Sequence, residues 1–257
     1  MNRVLATGFL GLCVSISAVT GQARADVVTL TPSKDNTLYE SDTGSISNGA
    51  GMHFFAGDNA TNVSRRGVIA FDLATIPAGS TINSVSLQLH MSQTNSGPLD
   101  ISLHRLLADW GEGTSDAPGS EGGGAPSTPG DATWLHTFFD TDLWSTPGGD
   151  FTAAASAIES VDQPGFYVWD STPDLVADVQ AWHDDAPLNF GWLVHGVEDA
   201  ASSAKKFDTR ENPTESFRPM LMIDYTPVPE PASAVILAVW LVAKGRRSSR
   251  RRSTLHD

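Results

Sequence analysis

Between Arg65 and Met91 the order of apolar and polar residues already describes two strands. Val68, Ile69, Ala70 and Phe71 form a continuous apolar run that ends at Asp72. Ile76-Pro77-Ala78-Gly79 interrupts it, because Pro lacks a donor and Gly tolerates positive φ. Val85, Leu87, Leu89 and Met91 then alternate with Ser84, Ser86, Gln88 and His90. A period of two places the first set on one face and the second on the other. The stretch reads as two buried strands joined by a turn. It predicts the sheet of a β-sandwich, on which the other strands assemble.

The same reading extends along the chain. Val27–Leu30 opens the domain as a strand, and Thr37–Tyr39 is expected to pair near it. Further strands are expected at His53–Gly57, Ile101–Leu106, Phe166–Trp169, Phe190–Val197, Lys206–Asp208 and Met220–Tyr225, with an edge strand within Ala153–Val161. In the last strand Leu221, Ile223 and Tyr225 share a face. One helix is predicted: Thr172 caps it, Pro173 takes its first position, and Asp174 lies in its first turn. Leu175, Val176, Val179 and Trp182 then recur at helical spacing. Asp109–Asp131 has no periodicity, and a loop of this length within a compact domain is functional or mobile.

The two ends differ from the body. Met1–Ala25 reads as a secretory signal peptide, with Arg3, an apolar run and a small-x-small site that places cleavage between Ala25 and Asp26. Residues 26–226 form the domain, and residues 227–257 form a tail. The tail holds Val228-Pro229-Glu230-Pro231, the apolar run Ala232–Ala243 and an arginine-rich end, and resembles a PEP-CTERM sorting signal. That resemblance implies export, transient anchoring in the membrane by the C-terminal segment, and removal of the tail by an exosortase-type processing enzyme. The run of twelve residues, about 18 Å as a helix, is short for a bilayer core of roughly 30 Å.

The body carries a second resemblance. Asp35-Asn36-Thr37-Leu38-Tyr39-Glu40, the Phe71-Asp72-Leu73 and Ile76–Gly79 segments, Ser102–Trp110 and Lys206–Asn212 are similar to segments of the DNRLRE-domain family. Thr37 and Tyr39 stand where the family motif has arginines. The likeness spans roughly residues 26–225. It implies an all-β, jelly-roll-like antiparallel β-sandwich with one short helix, secreted, and similar to carbohydrate-binding modules.

Charge narrows the partners. Residues 26–229 hold 28 acids and eight bases, a net charge of −20. Such a surface repels nucleic acid and favours divalent cations or simple solubility. The only cysteine, Cys13, lies in the leader, so the mature chain has no thiol, disulfide or Cys-based metal site.

Candidate chemistry follows from these limits. Trp110, Trp134, His136 and Trp144 lie in or beside the long loop, either as sugar platforms or as cover for one end of the sandwich. Arg65, Arg66, Lys206 and Arg210 could grip an acidic sugar, or pair with Asp208 or Glu211 as structural salt bridges. Asp35, Glu40, Asp58 and Asp72, at strand ends and turns, are candidate ligands for a structural Ca²⁺, or solvated acids and Asx-turns. No HExxH, GxSxG, Walker, GxGxxG or EF-hand pattern occurs. Paired carboxylates such as Asp140 and Asp142 leave a glycosidase as a third reading. The leading expectation is non-catalytic binding of an extracellular polysaccharide. A structural or adhesive matrix protein without a small ligand is the alternative.

Overall fold

The structure, a computed structural model, describes residues 24–228. The signal-peptide segment up to residue 23 and the sorting motif from Pro229 onward lie outside the described residues; Val228 is the last of them. In chain order the strands are β1 (Asp26–Leu30), β2 (Pro32–Tyr39), β3 (Ile46–Ser47), β4 (His53–Asp58), β5 (Ser64–Phe71), β6 (Thr81–Thr94), β7 (Leu99–Arg105) and β8 (Ala125–Pro126). They continue as β9 (His136–Phe138), β10 (Asp142–Leu143), β11 (Ala157–Val161), β12 (Gly165–Trp169), β13 (Trp192–His195), β14 (Lys205–Asp208) and β15 (Met220–Thr226), with helix α1 (Pro173–Asp184) between β12 and β13.

All pairings are antiparallel, and they build an all-β sandwich. In sheet A, β6 lies between β12 on one side and β15 and β14 on the other, with β1 beyond β15. In sheet B, β5 pairs β2 and β13, followed by β7 and the edge strand β11. Strand β4 belongs to both sheets. Its first four residues pair β14, and Gly57 and Asp58 pair β5. Gly57, at φ +107°, supplies the backbone turn at this corner.

Two expectations are corrected here. Strands β5 and β6 do not lie side by side: β14 and β4 stand between them, and the long connection Asp72–Ser80 carries the chain from sheet B to sheet A. Strand β2 does not join β1 either; β1 pairs β15 in sheet A, and β2 pairs β5 in sheet B. Periodicity sets which face of a strand is buried and carries no information on which strand lies alongside.

The alternation in β6 is realised. Val85, Leu87, Leu89 and Met91 point inward against Phe54, Phe207, Trp169, Trp192, Leu221 and Ile223. A bulge where Asp224 and Tyr225 face Ser84 and Ile82 shifts the phase, so Ile82 also faces the core. Strand β5 is buried on both faces. Ile69 and Phe71 enter the core between the sheets, while Val68 and Ala70 enter a second core on the outer side of sheet B. That is why its sequence is a continuous apolar run rather than an alternation.

Helix α1 closes one end of the main core with Leu175, Val179 and Trp182; Trp182 meets Trp192 edge-on at 4.6 Å. Its start is built as the sequence predicts: Thr172 Oγ1 accepts from Leu175 N at 3.0 Å, and Pro173 follows. Thr172→Ala is therefore expected to destabilise the domain by about 1 kcal/mol in urea unfolding. Retained stability would show that packing alone fixes the helix start.

Candidate functional site

The loop tryptophans are core, not platforms. Trp110, Trp134 and Trp144 form the second hydrophobic cluster with Leu38, Val68, Leu106 and Leu193. Two of the indole N–H groups are used internally: Trp110 donates to Phe190 O at 2.8 Å and Trp144 to Thr133 O at 2.9 Å. His136, half-buried beside them, contacts Thr133 Oγ1 at 3.0 Å and packs edge-on to Phe139. The loop after Asp109 wraps the outer face of sheet B, and its short strand β8 pairs β3.

The basic residues do not converge. Arg65 and Arg66 are neighbours on β5 and point to opposite faces. Arg65 is buried, donates to the carbonyls of Gly122 and Val63, and lies over the Tyr39 ring. Arg66 makes a bidentate pair with Glu198 at 2.6 and 2.7 Å, donates to Gly148 O, and covers Trp134. Burial pushes Glu198 upward, and Arg66 with His195 outweighs it, holding the carboxyl down at about 2. Arg210 pairs with Glu112 at 2.7 and 2.5 Å and with Glu211 at 2.9 Å. Of the expected partners only Glu211 is met, by Arg210; Arg66 pairs with Glu198 instead, and Arg65 is held by carbonyls.

Of the candidate metal acids only Glu40 and Asp58 stay near each other, both holding Ser64. Asp58 is buried and accepts from Ser64 Oγ at 2.9 Å; Glu40 accepts from Ser64 N at 2.7 Å; Asp72 forms an Asx-turn with Ala74 N. Asp35 alone enters a carboxylate cluster, with Glu112 and Glu211. Burial pushes Asp35 well above the usual carboxylate range, and Glu211 adds to the effect; burial likewise raises Glu211.

A different surface was missed in the sequence. The outer face of sheet A presents His53 from β4, His90 from β6, Asp208 and Lys206 from β14, and Phe166 from β12. Buried Asp208 bridges the two histidines, at 3.2 Å from His53 Nε2 and 2.5 Å from His90 Nδ1. Glu121, from the long loop, holds the other nitrogen of His53 at 3.1 Å. Burial lowers the His53 pKa, while Asp208 and Glu121 more than reverse this, so it is raised. His90 stacks on Phe217 at 4.0 Å and 7°, and Phe166 packs against both while half its surface faces solvent. Among the described residues the Lys206 ammonium makes no ion pair; its neighbour Lys205 is fully buried, donating to Gly97 O at 2.7 Å. The alternation of β6 and β14 was the signal available: it places His90, Lys206 and Asp208 on the polar face.

His104 and His195 are satisfied within the fold, whereas His183 on α1 has its Nε2 buried without a partner. His104 contacts Thr152 O and Ser102 Oγ, and His195 lies 3.5 Å from Glu198. Asp140 and Asp142 are exposed at the tip of the β9–β10 hairpin. A cleft of about 490 Å³ between the β5–β6 connection and α1 has Asp72 as its one carboxylate. Comparison with protein-family models finds no match, and comparison with curated proteins finds none.

Proposed function

We propose that the protein is an exported, non-catalytic module that binds extracellular polysaccharide on the outer face of sheet A. The observation that carries this is the half-exposed Phe166 ring, braced by the His90–Phe217 stack, on the face of sheet A that also carries Lys206, whose ammonium makes no ion pair among the described residues. An aromatic ring offers its face to the C–H surface of a sugar. Ser84, Ser86 and Gln88 continue along the same side of β6, and such side chains can donate to and accept from hydroxyls. Because His90 is fixed by Asp208 and by stacking, the surface is set before a ligand arrives, which limits the ordering cost of binding. Export and sorting rest on the sequence patterns of the two ends, through the secretion machinery and an exosortase-type enzyme.

The test is affinity electrophoresis of the purified protein through gels containing individual polysaccharides. Phe166→Ala and Lys206→Ala should each weaken retardation about tenfold, the equivalent of roughly 1.4 kcal/mol, with the melting temperature unchanged. Retardation equal to wild type in both variants would overturn the placement of the site. A second reading, a structural or adhesive matrix component, draws on the burial of all six described tryptophans. It would be favoured if the wild-type protein were retarded by none of the polysaccharides.

A further inference from the structure

Asp35, Glu112 and Glu211 approach one another from three separate parts of the chain: strand β2, the long loop after β7, and the segment after β14. One carboxylate oxygen of each lies within 4.8 Å of the others. Oxygens bound to one calcium ion at about 2.3–2.6 Å each stand no more than roughly 5 Å apart, so the three are close enough to share one. The hydrogen bonds around the cluster leave specific gaps. Asp35, only 1% exposed, accepts from Arg210 N through Oδ2 at 3.0 Å, but its Oδ1 is buried without a partner. Glu211 is engaged by Arg210 through Oε1, and its Oε2 is likewise buried without a partner. Glu112 is used on both oxygens, by Arg210 and by Asp35 N. Two buried acceptors thus lack a donor, although nearly all such atoms in folded proteins have one.

The charges point the same way. Three carboxylates surround one guanidinium, which leaves two negative charges when all are ionised. A divalent cation would balance them. The donors are all hard oxygens, with no imidazole or thiolate among the three, which selects calcium or magnesium over zinc or copper. Calcium accepts irregular sets of six to eight oxygens, whereas magnesium demands near-ideal octahedral geometry. With both Glu112 oxygens already held by Arg210, the set is irregular.

We propose that Asp35, Glu112 and Glu211 hold a calcium ion that ties the long loop to both β2 and the segment leading to β15. This inference is independent of the polysaccharide reading and differs from the ligand set expected from sequence, of which it keeps only Asp35. The ion neutralises the cluster and supplies the partner that Asp35 Oδ1 and Glu211 Oε2 lack. Water completes the coordination.

The experiment is calorimetric titration of the chelator-treated full chain with CaCl₂ and MgCl₂, with thermal melting and limited proteolysis in parallel. Wild type should bind one calcium per chain, melt about 5 °C higher at millimolar calcium by mass action, and resist cleavage between Asp109 and Asp131. Magnesium should give a smaller shift. Asp35→Asn and Glu211→Gln, which keep side-chain shape, should lose at least tenfold in calcium affinity; Lys206→Ala should not. The absence of binding heat and of a melting shift at about 5 mM calcium would overturn the site, because that is above the weakest affinities typical of extracellular calcium modules. So would equal calcium responses in wild type and both carboxylate variants. If Asp35 carries a proton instead, chelated wild type and Asp35→Asn will melt together and neither will respond to calcium, which also overturns the site.

Discussion

Trp110→Ala is expected to destabilise the domain by about 3–5 kcal/mol, the usual range for emptying a buried tryptophan site. It should leave polysaccharide retardation unchanged wherever the variant remains folded. Trp110 is 1% exposed and packs with Leu38, Ala132 and Trp134 in the second core. Its indole N–H satisfies Phe190 O, and the Lys34 ammonium sits 4.4 Å above its ring. Lys34 in turn is anchored by Asp109 and Trp110 O. Truncation therefore opens a cavity, orphans a carbonyl and removes a cation–π contact at once. Urea unfolding at neutral pH measures the cost. A change below about 1 kcal/mol, outside the range of core truncations, together with lost retardation, would return this tryptophan to the role of platform.

Much of the sandwich was legible because its strands carry strong local signals. The β6 alternation, the Thr172-Pro173 helix start and the inward set Leu221, Ile223 and Tyr225 each come from a few neighbouring residues. The partnering of strands was not legible, because it depends on contacts between residues far apart in sequence. The tryptophan loop shows a missed step in between. The unbroken run Val68–Phe71 meant that both faces of β5 needed cover. The connection from β5 to β6 returns to the opposite sheet, so something else had to cover the outer face. The nearest aromatic-rich segment without a period of its own was the loop from Trp110 to Trp144.

The carboxylate cluster was half legible. Asp35 and Arg210 drew attention as charged residues in motif-like segments, and Glu211 as a partner for Arg210. Glu112 has no local signal; only the fold brings it across from the loop to Asp35 N at 2.9 Å. The outer face of sheet A was obscured for another reason. Histidines in strands are usually satisfied within the fold, and His104 and His195 are. His90 and His53 differ because Asp208 lies between them, a contact set by the pairing of β14 with both β4 and β6.

Arg66→Ala is expected to cost about 3 kcal/mol at neutral pH, because it strands a mostly buried carboxylate. This reverses what a ligand-gripping arginine would do, which is to change affinity and leave the fold alone. Glu198 is held at about 2 in the folded protein, against an ordinary 4.5. A carboxyl depressed on folding contributes stability above its unfolded value and loses it as pH falls through the folded value. The contribution of the pair should therefore be complete above about pH 5, decline between 4.5 and 2, and be gone below that. A shift of this size corresponds to roughly 3 kcal/mol. Glu198→Gln removes the titrating group, so its stability should fall less steeply than wild type across that window. Denaturant unfolding at pH 7, 4 and 3 gives both curves. Parallel decline of the two would show that other carboxylates set the acid response. If Arg66→Ala were as stable as wild type at pH 7, the guanidinium would be free to meet a ligand, and the ion pair would no longer explain its position.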